Sequence, residues 1–551
     1  MRKVEGNIVD VYNREIYPGE ILISEEGKIE KIVRNKQTYD CYICPPFIDA
    51  HVHIESSMLL PKEFSRLIVT KGTVGIVNDP HEIANVLGEE GIEFMRKNAK
   101  EADVKMFFSI PSCVPATPFD AAGGIINAGG VEKLVKTKTF VALSEMMDVP
   151  GVLKGDKEVK RKLEIAKENH LKIDGHAPGV RGEDLKNYIA AGITTDHECT
   201  TLEEAVEKIE RGMKIMIREG SAAKNFEALH PLIRLYPQQI MFCTDDAHPD
   251  EIKEKGHIDR IVRMAIAKGY DLFDVLKAAS VNTIKHYHLS IGSLKENDTA
   301  DFIIVKDLKN FQIIATYING IEKYNFKNSE LKGTGNRKQD YFVLNRFCHE
   351  YLSKKEIQYT LKKGDMPVIQ VSDGSLWTEK RVIKNQNDKI NFEADTQNDI
   401  LKIVYINRYR NGKPQIAFIK GVGLKEGAFG SSISHDSHNI LAIGYTDEDL
   451  MECINEIIRL KGGLVVKNER GLFSLPLPVA GIMSDQTADK VIRNYKELNR
   501  ELSKSGVTLS SPFMTLAFMS LIVIPELKIG EQGLFDYNQF SFIREKENWN
   551  L

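Results

Sequence analysis

Two histidines stand two residues apart in Asp49-Ala50-His51-Val52-His53, directly after the apolar Phe47-Ile48. Side chains alternate along a strand, so residues i and i+2 near a strand end point the same way. Both imidazoles can then reach one cation, and neutral imidazole suits first-row divalent metals. Such a pair alone arises by chance about as often as it binds metal. Here four more candidate ligands follow in order, each just after a short apolar run. They are Glu145, His176 in Asp174-Gly175-His176-Ala177-Pro178, His197 in Thr194-Thr195-Asp196-His197-Glu198, and Asp245 in Thr244-Asp245-Asp246. Four histidines and two carboxylates are the inventory for two divalent ions about 3.5–4 Å apart, bridged by a carboxylate and a water. Any one of the six can be an ordinary loop residue. The ordered set is much harder to dismiss.

Residues so far apart in sequence need a scaffold that brings them to one place. From Phe47 to about His286 short apolar runs alternate with polar clusters and amphipathic helical stretches: Val74-Gly75-Ile76-Val77 before Asn78-Asp79-Pro80-His81, Phe140-Val141-Ala142-Leu143 before Ser144-Glu145, Ile240-Met241-Phe242-Cys243 before Thr244-Asp245-Asp246. That alternation predicts βα units around a parallel sheet. Its extent, residues 47–286, suits a (β/α)₈ barrel, an α/β fold whose strand C-termini share one mouth. An open doubly wound sheet competes, but the turn after the first strand carries His51-Val52-His53 where that fold places a Gly-rich phosphate loop. Residues 1–46 read as short strands. Ile291 to Val305 return to the same pattern, so 1–46 and 287–330 are expected to pair as one small β subdomain flanking the barrel. Asn328 to Gln339 reads as a linker. Residues 340–551 are expected to form a C-terminal α/β (α+β) domain, with a helix over Thr446 to Leu460 and a strand at Gly463-Leu464-Val465-Val466.

Composition narrows the function. The 551 residues carry 74 basic and 78 acidic side chains, a net charge of -4, which leaves no cationic surplus for a nucleic acid polymer. The chain is 42% hydrophobic and 28% charged, ordinary for a soluble protein of two or three domains. Seven scattered cysteines fit a reducing cytoplasm, and Cys41 and Cys44, lacking a second ligand pair nearby, read as small apolar residues on a strand. The N-terminus has no apolar signal core. Phe513 to Ile524 is too short to span a bilayer and reads as a buried element.

The ordered ligand set resembles the amidohydrolase superfamily, whose barrel carries H-x-H after strand one, a bridging ligand after strand four, histidines after strands five and six, and an aspartate after strand eight. Longer phrases are similar to the adenine deaminase family of bacteria and archaea. They are Phe47-Ile48-Asp49-Ala50-His51-Val52-His53-Ile54-Glu55-Ser56-Ser57-Met58, Asp79-Pro80-His81-Glu82-Ile83-Ala84-Asn85-Val86, Pro111-Ser112-Cys113-Val114-Pro115-Ala116-Thr117-Pro118 and Ile217-Arg218-Glu219-Gly220-Ser221-Ala222-Ala223-Lys224-Asn225. Ser434-His435-Asp436-Ser437-His438-Asn439 and Leu475-Pro476-Leu477-Pro478-Val479-Ala480-Gly481 extend the likeness through the C-terminal region. Glu145 stands where many amidohydrolases use a carboxylated lysine, which argues against the dihydroorotase and hydantoinase branches. Two departures are Pro45-Pro46 where Pro-Gly is commoner, and Ala247 where a larger residue is expected. The second bears on access to the mouth.

The resemblance implies hydrolytic deamination of adenine to hypoxanthine and ammonia, as in purine salvage. It gives Glu145 as the bridge, His51, His53, His176 and His197 as terminal ligands, and Asp245 as ligand and proton shuttle. The cofactor is two divalent ions, iron or manganese first and zinc next, and the partners are adenine, water and further copies in a homo-oligomer, a dimer or tetramer. His81-Glu82 is a candidate for a further ion, a proton relay or purine contact, against a hydrogen-bonded pair at a helix start. Arg218-Glu219, with Ser221 and Lys224, is a candidate to grip the base or position a loop, against a structural salt bridge. His435-Asp436-His438 is expected on a loop that reaches the barrel mouth, against a surface turn, and Met146-Met147 reads as packing. The rivals are another amidohydrolase with a different small substrate and a metal-retaining purine-binding protein without turnover.

Overall fold

The computed structural model describes residues 2–328, 344–361, 363–385, 390–395 and 397–543. Most of the expected linker up to Gln339 lies outside them. The central unit is a closed barrel of parallel strands in two hydrogen-bonded arcs. One arc holds Phe47–Val52, Thr73–Asn78, Lys105–Ile110, Phe140–Met146 and Lys172–Gly175. The other holds Thr195–Asp196, Lys214–Arg218 and Ile240–Cys243. Backbone bonds close both seams: Thr194 N donates to Ile173 O at 2.8 Å, and Asp245 N donates to His51 O at 3.0 Å. Every residue of Phe47–Val52, Thr73–Asn78 and Ile240–Cys243 is buried. Strands covered on both faces read as apolar runs without alternation, which is why these were visible in the sequence.

The flanking segments meet in one sheet. One seven-stranded sheet runs in the order Ile321–Asn325, Ile313–Ile318, Phe302–Val305, Tyr42–Cys44, Arg2–Asp10, Glu15–Ile23, Ile29–Arg34. Tyr42–Cys44 joins the two halves, parallel to Arg2–Asp10 and antiparallel to Phe302–Val305. Cys44 is buried on that strand, and all seven cysteines are free thiols. The sheet is tied to the barrel by Asp301, fully buried. Its Oδ2 accepts from Lys105 Nζ at 2.7 Å and Gly292 N at 2.8 Å, and its Oδ1 accepts from Asn319 N at 2.8 Å.

The C-terminal region is a mainly antiparallel nine-stranded sheet. The helix Asp447–Leu460 packs against it through buried Leu450, Cys453, Ile454, Ile457 and Ile458. Thr446 is its N-cap rather than its first residue: the hydroxyl accepts from Asp449 N at 3.0 Å, satisfying a donor the helix cannot. The following strand is Gly463–Asn468. Phe513 to Ile524 is indeed buried, folded as the helix Pro512–Ala517 and a 3₁₀ turn Phe518–Ser520. Among the described residues no helix is long and apolar enough to cross a membrane. This region sits on the barrel: Ser484 N donates to Met58 O at 2.9 Å, Tyr495 Oη lies 2.6 Å from His248 Nδ1, and Asn439 Nδ2 donates to Ala121 O at 2.8 Å.

Asp301→Ala would leave Lys105 without its carboxylate and the Gly292 N–H, Asn319 N–H and Thr299 hydroxyl without their acceptor. The expected cost is about 3 kcal/mol, read as a lowered urea midpoint, and an unchanged midpoint would show that this link does not hold the sheet to the barrel.

Candidate metal centre

The six ordered candidates converge at the C-terminal rim of the barrel. Glu145, at the end of the fourth strand, lies at their middle. Its Oε1 is 3.3 Å from His53 Nε2 and 3.9 Å from His51 Nε2, and its Oε2 is 2.9 Å from His176 Nδ1 and 3.2 Å from His197 Nε2. One carboxylate thus divides its two oxygens between two pairs of imidazoles. Asp245 Oδ1 closes the first group, 3.1 Å from His53 Nε2 and 3.6 Å from His51 Nε2. All six side chains are buried. Asp245 has φ 57°, left-handed backbone that a non-glycine residue adopts at a cost. The seam bonds hold it there, with His53 N donating to Asp245 O at 3.3 Å.

Neighbouring groups orient the ring of ligands. His53 Nδ1–H donates to the Asp79 carbonyl at 3.0 Å, which turns Nε2 to the centre. Tyr188 Oη donates to Met146 O at 2.7 Å and accepts from His176 N at 3.2 Å, linking the fourth and fifth strand ends. Lys208, fully buried on the helix Leu202–Glu210, links the fifth and sixth. Its Nζ donates to Ala177 O at 2.6 Å, Asp196 Oδ2 at 2.9 Å and Glu204 Oε1 at 2.7 Å, while Ala177 N donates to Asp196 Oδ1 at 2.9 Å. His176 and His197, each next to a member of this network, are thereby fixed relative to one another.

The electrostatics are those of a site short of positive charge. Burial pushes the Glu145 carboxyl up, but hydrogen bonds from His176, His197 and His53 outweigh it and hold it well below the usual range. Burial likewise opposes ionisation of Asp245, and Arg218, then His51 and His53, overcome it. Arg218 is the one permanent cation among the residues lining the cavity, and it is already engaged. It forks onto Glu198 at 2.5 and 3.1 Å and also binds Asp245 Oδ2. Within the six candidates two buried imidazole nitrogens, His51 Nε2 and His176 Nε2, have no hydrogen-bond partner among the described residues. Spare nitrogen lone pairs beside uncompensated carboxylates fit divalent first-row cations, the combination those ligand types select.

The other candidates fall into place around this core. His81 Nδ1 lies 3.0 Å from Asp79 Oδ2 and 3.4 Å from Glu145 Oε1, and its Nε2 lies 3.4 Å from Glu82 Oε1 and 3.9 Å from Asp436 Oδ1. Glu82 Oε1 lies 2.5 Å from His435 Nδ1, and Glu82 Oε2 contacts His438 Nε2. His435 and Asp436 therefore enter the mouth from the C-terminal domain, while His438 stands behind Glu82 and does not line the cavity. Glu219 does not join the site: its Oε2 lies 3.1 Å from Arg260 NH2, and it braces the helix Ile258–Ala267 rather than gripping a ligand. Lys224 is exposed and Ser221 Oγ accepts from His248 N at 2.8 Å, so neither reaches the cavity either. Ala247 is buried away from the cavity lining and does not bound the mouth. Met146 is core, but Met147 lines the cavity beside the centre, contrary to a pure packing role.

Sequence reasoning missed Glu198, Asp246 and the apolar wall. Glu198 and Asp246 each adjoin a proposed ligand, a signal that was available. The wall is Leu376, Phe518, Leu521 and Ile524, all from the C-terminal domain, over a cavity of about 30 Å³. The Phe518 ring stacks on His435 with centroids 4.4 Å apart. Nothing local marks such residues as site-forming.

A parallel barrel with histidines after strands one, five and six, a shared glutamate after strand four and an aspartate after strand eight defines an amidohydrolase. The amidohydrolase family model matches residues 42–322, and the model of the adenine deaminase C-terminal domain matches residues 375–541. An adenine deaminase of Methanosarcina acetivorans is 48% identical over 98% of this chain and 99% of its own length. One of Methanosarcina mazei is 47% identical and one of Sulfurovum sp. 46% identical, each over 98% of this chain and 99% of its own length. The chain belongs to the adenine deaminase family of amidohydrolases.

Lys208→Met would strand Asp196 and Glu204 as buried charges. The expected loss is about 3–5 kcal/mol in denaturant unfolding, with weaker retention of divalent cations on dialysis against a chelator; stability within about 1 kcal/mol of the parent would remove Lys208 from this role.

Proposed function

We propose that the chain hydrolyses adenine to hypoxanthine and ammonia, using two divalent cations held by His51, His53, Glu145, His176, His197 and Asp245. The observation that carries this reading is Glu145, whose two oxygens face two separate imidazole pairs. Near-full-length identity to proteins named adenine deaminase supports the substrate. The histidine and carboxylate donors admit iron(II), manganese and zinc alike, and the family resemblance puts iron(II) or manganese first. The seven free thiols suit a cytoplasmic enzyme of purine salvage, and a homo-oligomer is the common state of such enzymes.

The reaction adds water at C6, protonates a ring nitrogen and expels ammonia. The chemistry bound divalent cations supply is Lewis acidity, which brings the pKa of water toward neutrality. The chain's own groups do the rest. Asp245 has one oxygen pinned by Arg218, so its Oδ1 is left facing the reacting centre. There it takes the proton from water and returns it to the departing amine, a general base and then a general acid. Arg218 acts through Asp245, fixing its rotamer and keeping it ionised. Glu82, reached by His81 and His435, is the second proton-handling group, placed to serve the ring nitrogen. Asp436 lines the same side. Phe518, Leu521 and Ile524 give the flat ring an apolar wall and keep bulk water from the centre.

The test is reconstitution of the metal-free protein with iron(II), manganese or zinc while adenine consumption is followed spectroscopically. Turnover should require the cation, and Glu145→Gln and Asp245→Asn should each lower it by at least about 10³-fold in folded protein. Near-normal rates in either variant, or adenine left untouched by the loaded parent, would defeat the reading.

A further inference from the structure

Lys528, on the strand Leu527–Gly530, is 0% exposed, and no carboxylate among the described residues pairs with it. Its Nζ donates to one group, the carbonyl oxygen of Leu376, at 2.9 Å. Burial alone pushes its ammonium down to about 7. A buried amine without a counter-charge destabilises a fold unless its hydrogen bonds compensate, and one neutral acceptor compensates poorly. Stability is therefore a weak reason for a lysine here, and what its single bond holds becomes the question.

It holds a piece of the cavity wall. Leu376 packs with Met514, Phe518, Leu521 and Ile524 of its own domain and with Ala222 of the barrel. Of the wall residues contributed by this domain, Phe518, Leu521 and Ile524 are buried in the 518–524 segment, whereas Leu376 rides on the loop 372–378. Residues 372–374 and 377 of that loop are exposed. Its far end is stitched down: Thr378 N donates to Pro525 O at 3.0 Å, Glu526 N donates to Thr378 O at 3.0 Å, and Thr378 Oγ1 donates to Leu527 O at 2.8 Å. Leu376 lies two residues before that anchor, and Lys528 is what binds its carbonyl. The cavity below is about 30 Å³, room for one or two waters, so a small displacement of Leu376 changes what fits.

We propose that Lys528 is a positioning residue for substrate: through the Leu376 carbonyl it holds the 372–378 loop against the adenine pocket and sets adenine affinity without touching adenine. This rests on the adenine-hydrolysing reading above.

The test uses the full-length, metal-loaded enzyme with Lys528→Met, Lys528→Gln and Leu376→Ala. Lys528→Met should raise KM for adenine at least about fivefold with kcat within about twofold of the parent, at an equal or higher Tm and unchanged metal content. Lys528→Gln keeps an N–H donor and should recover a large part of the KM shift, and Leu376→Ala should reproduce it. Amide hydrogen exchange in Lys528→Met should quicken at 372–378 and not at the barrel strands. A folded Lys528→Met with parental KM, or a Gln variant as impaired as the Met variant, would overturn the proposal. If Lys528→Met does not fold, Leu376→Ala decides, and a parental KM there is equally fatal. A parent that leaves adenine untouched would sink the adenine reading instead; exchange at 372–378 would still decide whether Lys528 holds the loop.

Discussion

A carboxylate buried among imidazoles has to be neutralised, and Glu145 imposes that requirement on the whole barrel mouth. Moving an ion out of water costs several kcal/mol even after the protein relaxes. Asp245, Asp246, Glu198 and Glu82 line the same cavity, and its one permanent cation, Arg218, is shared between Glu198 and Asp245. The remaining compensation must come from histidine protons or from divalent cations. Cations would satisfy it in the same place for every copy of the protein, and His51 and His176 each offer an unpartnered ring nitrogen for them. The surrounding architecture follows from holding these groups in register. Strand ends place them, Asp79 fixes a tautomer, and Tyr188 and Lys208 bind adjacent strand ends together.

How much of this could be read from sequence depends on the range of the interaction that carries it. The strands of the barrel announce themselves because both faces are covered, so Val74 to Val77 and Ile240 to Cys243 are apolar without interruption. His51 and His53 are legible because a strand fixes i and i+2 on one side. Glu145, His176, His197 and Asp245 are legible because each ends an apolar run and a barrel sends all such ends to one rim. The pairing of 42–44 with 302–305 was also within reach, through the shared turn-and-strand texture on either side of the barrel.

What escaped is long-range or depends on side-chain direction. Glu82 and His435 are 353 residues apart, and no local pattern says that their side chains meet. Arg218 and Glu219 are neighbours in sequence on a strand end, so they point to opposite sides. One enters the centre and the other turns to Arg260. The salt-bridge alternative describes both residues, each with its own partner on its own side of the strand. The apolar wall was read as buried but not as site-forming, for a different reason. Phe518, Leu521 and Ile524 look like any buried segment, because packing against a cavity and packing against a core require the same residues.

The division of labour between the two domains has a mechanical logic. Proton transfer needs acid, base and reacting atom held within a few tenths of an ångström, and strand ends braced by buried hydrogen bonds supply that rigidity. Admitting a purine over a cavity of about 30 Å³ needs some freedom in the wall instead. A wall built into the barrel would have to distort the ligand-bearing strands to open. Placing the wall on a second domain, with one of its residues on a surface loop, separates the two demands. The polar groups that this domain sends inward, His435 and Asp436, sit on a segment buried on all sides, so they share the rigidity of the barrel. Leu376 sits instead on a partly exposed loop, where the Lys528 hydrogen bond to its carbonyl adds to the one that Ser510 N donates to Asp373.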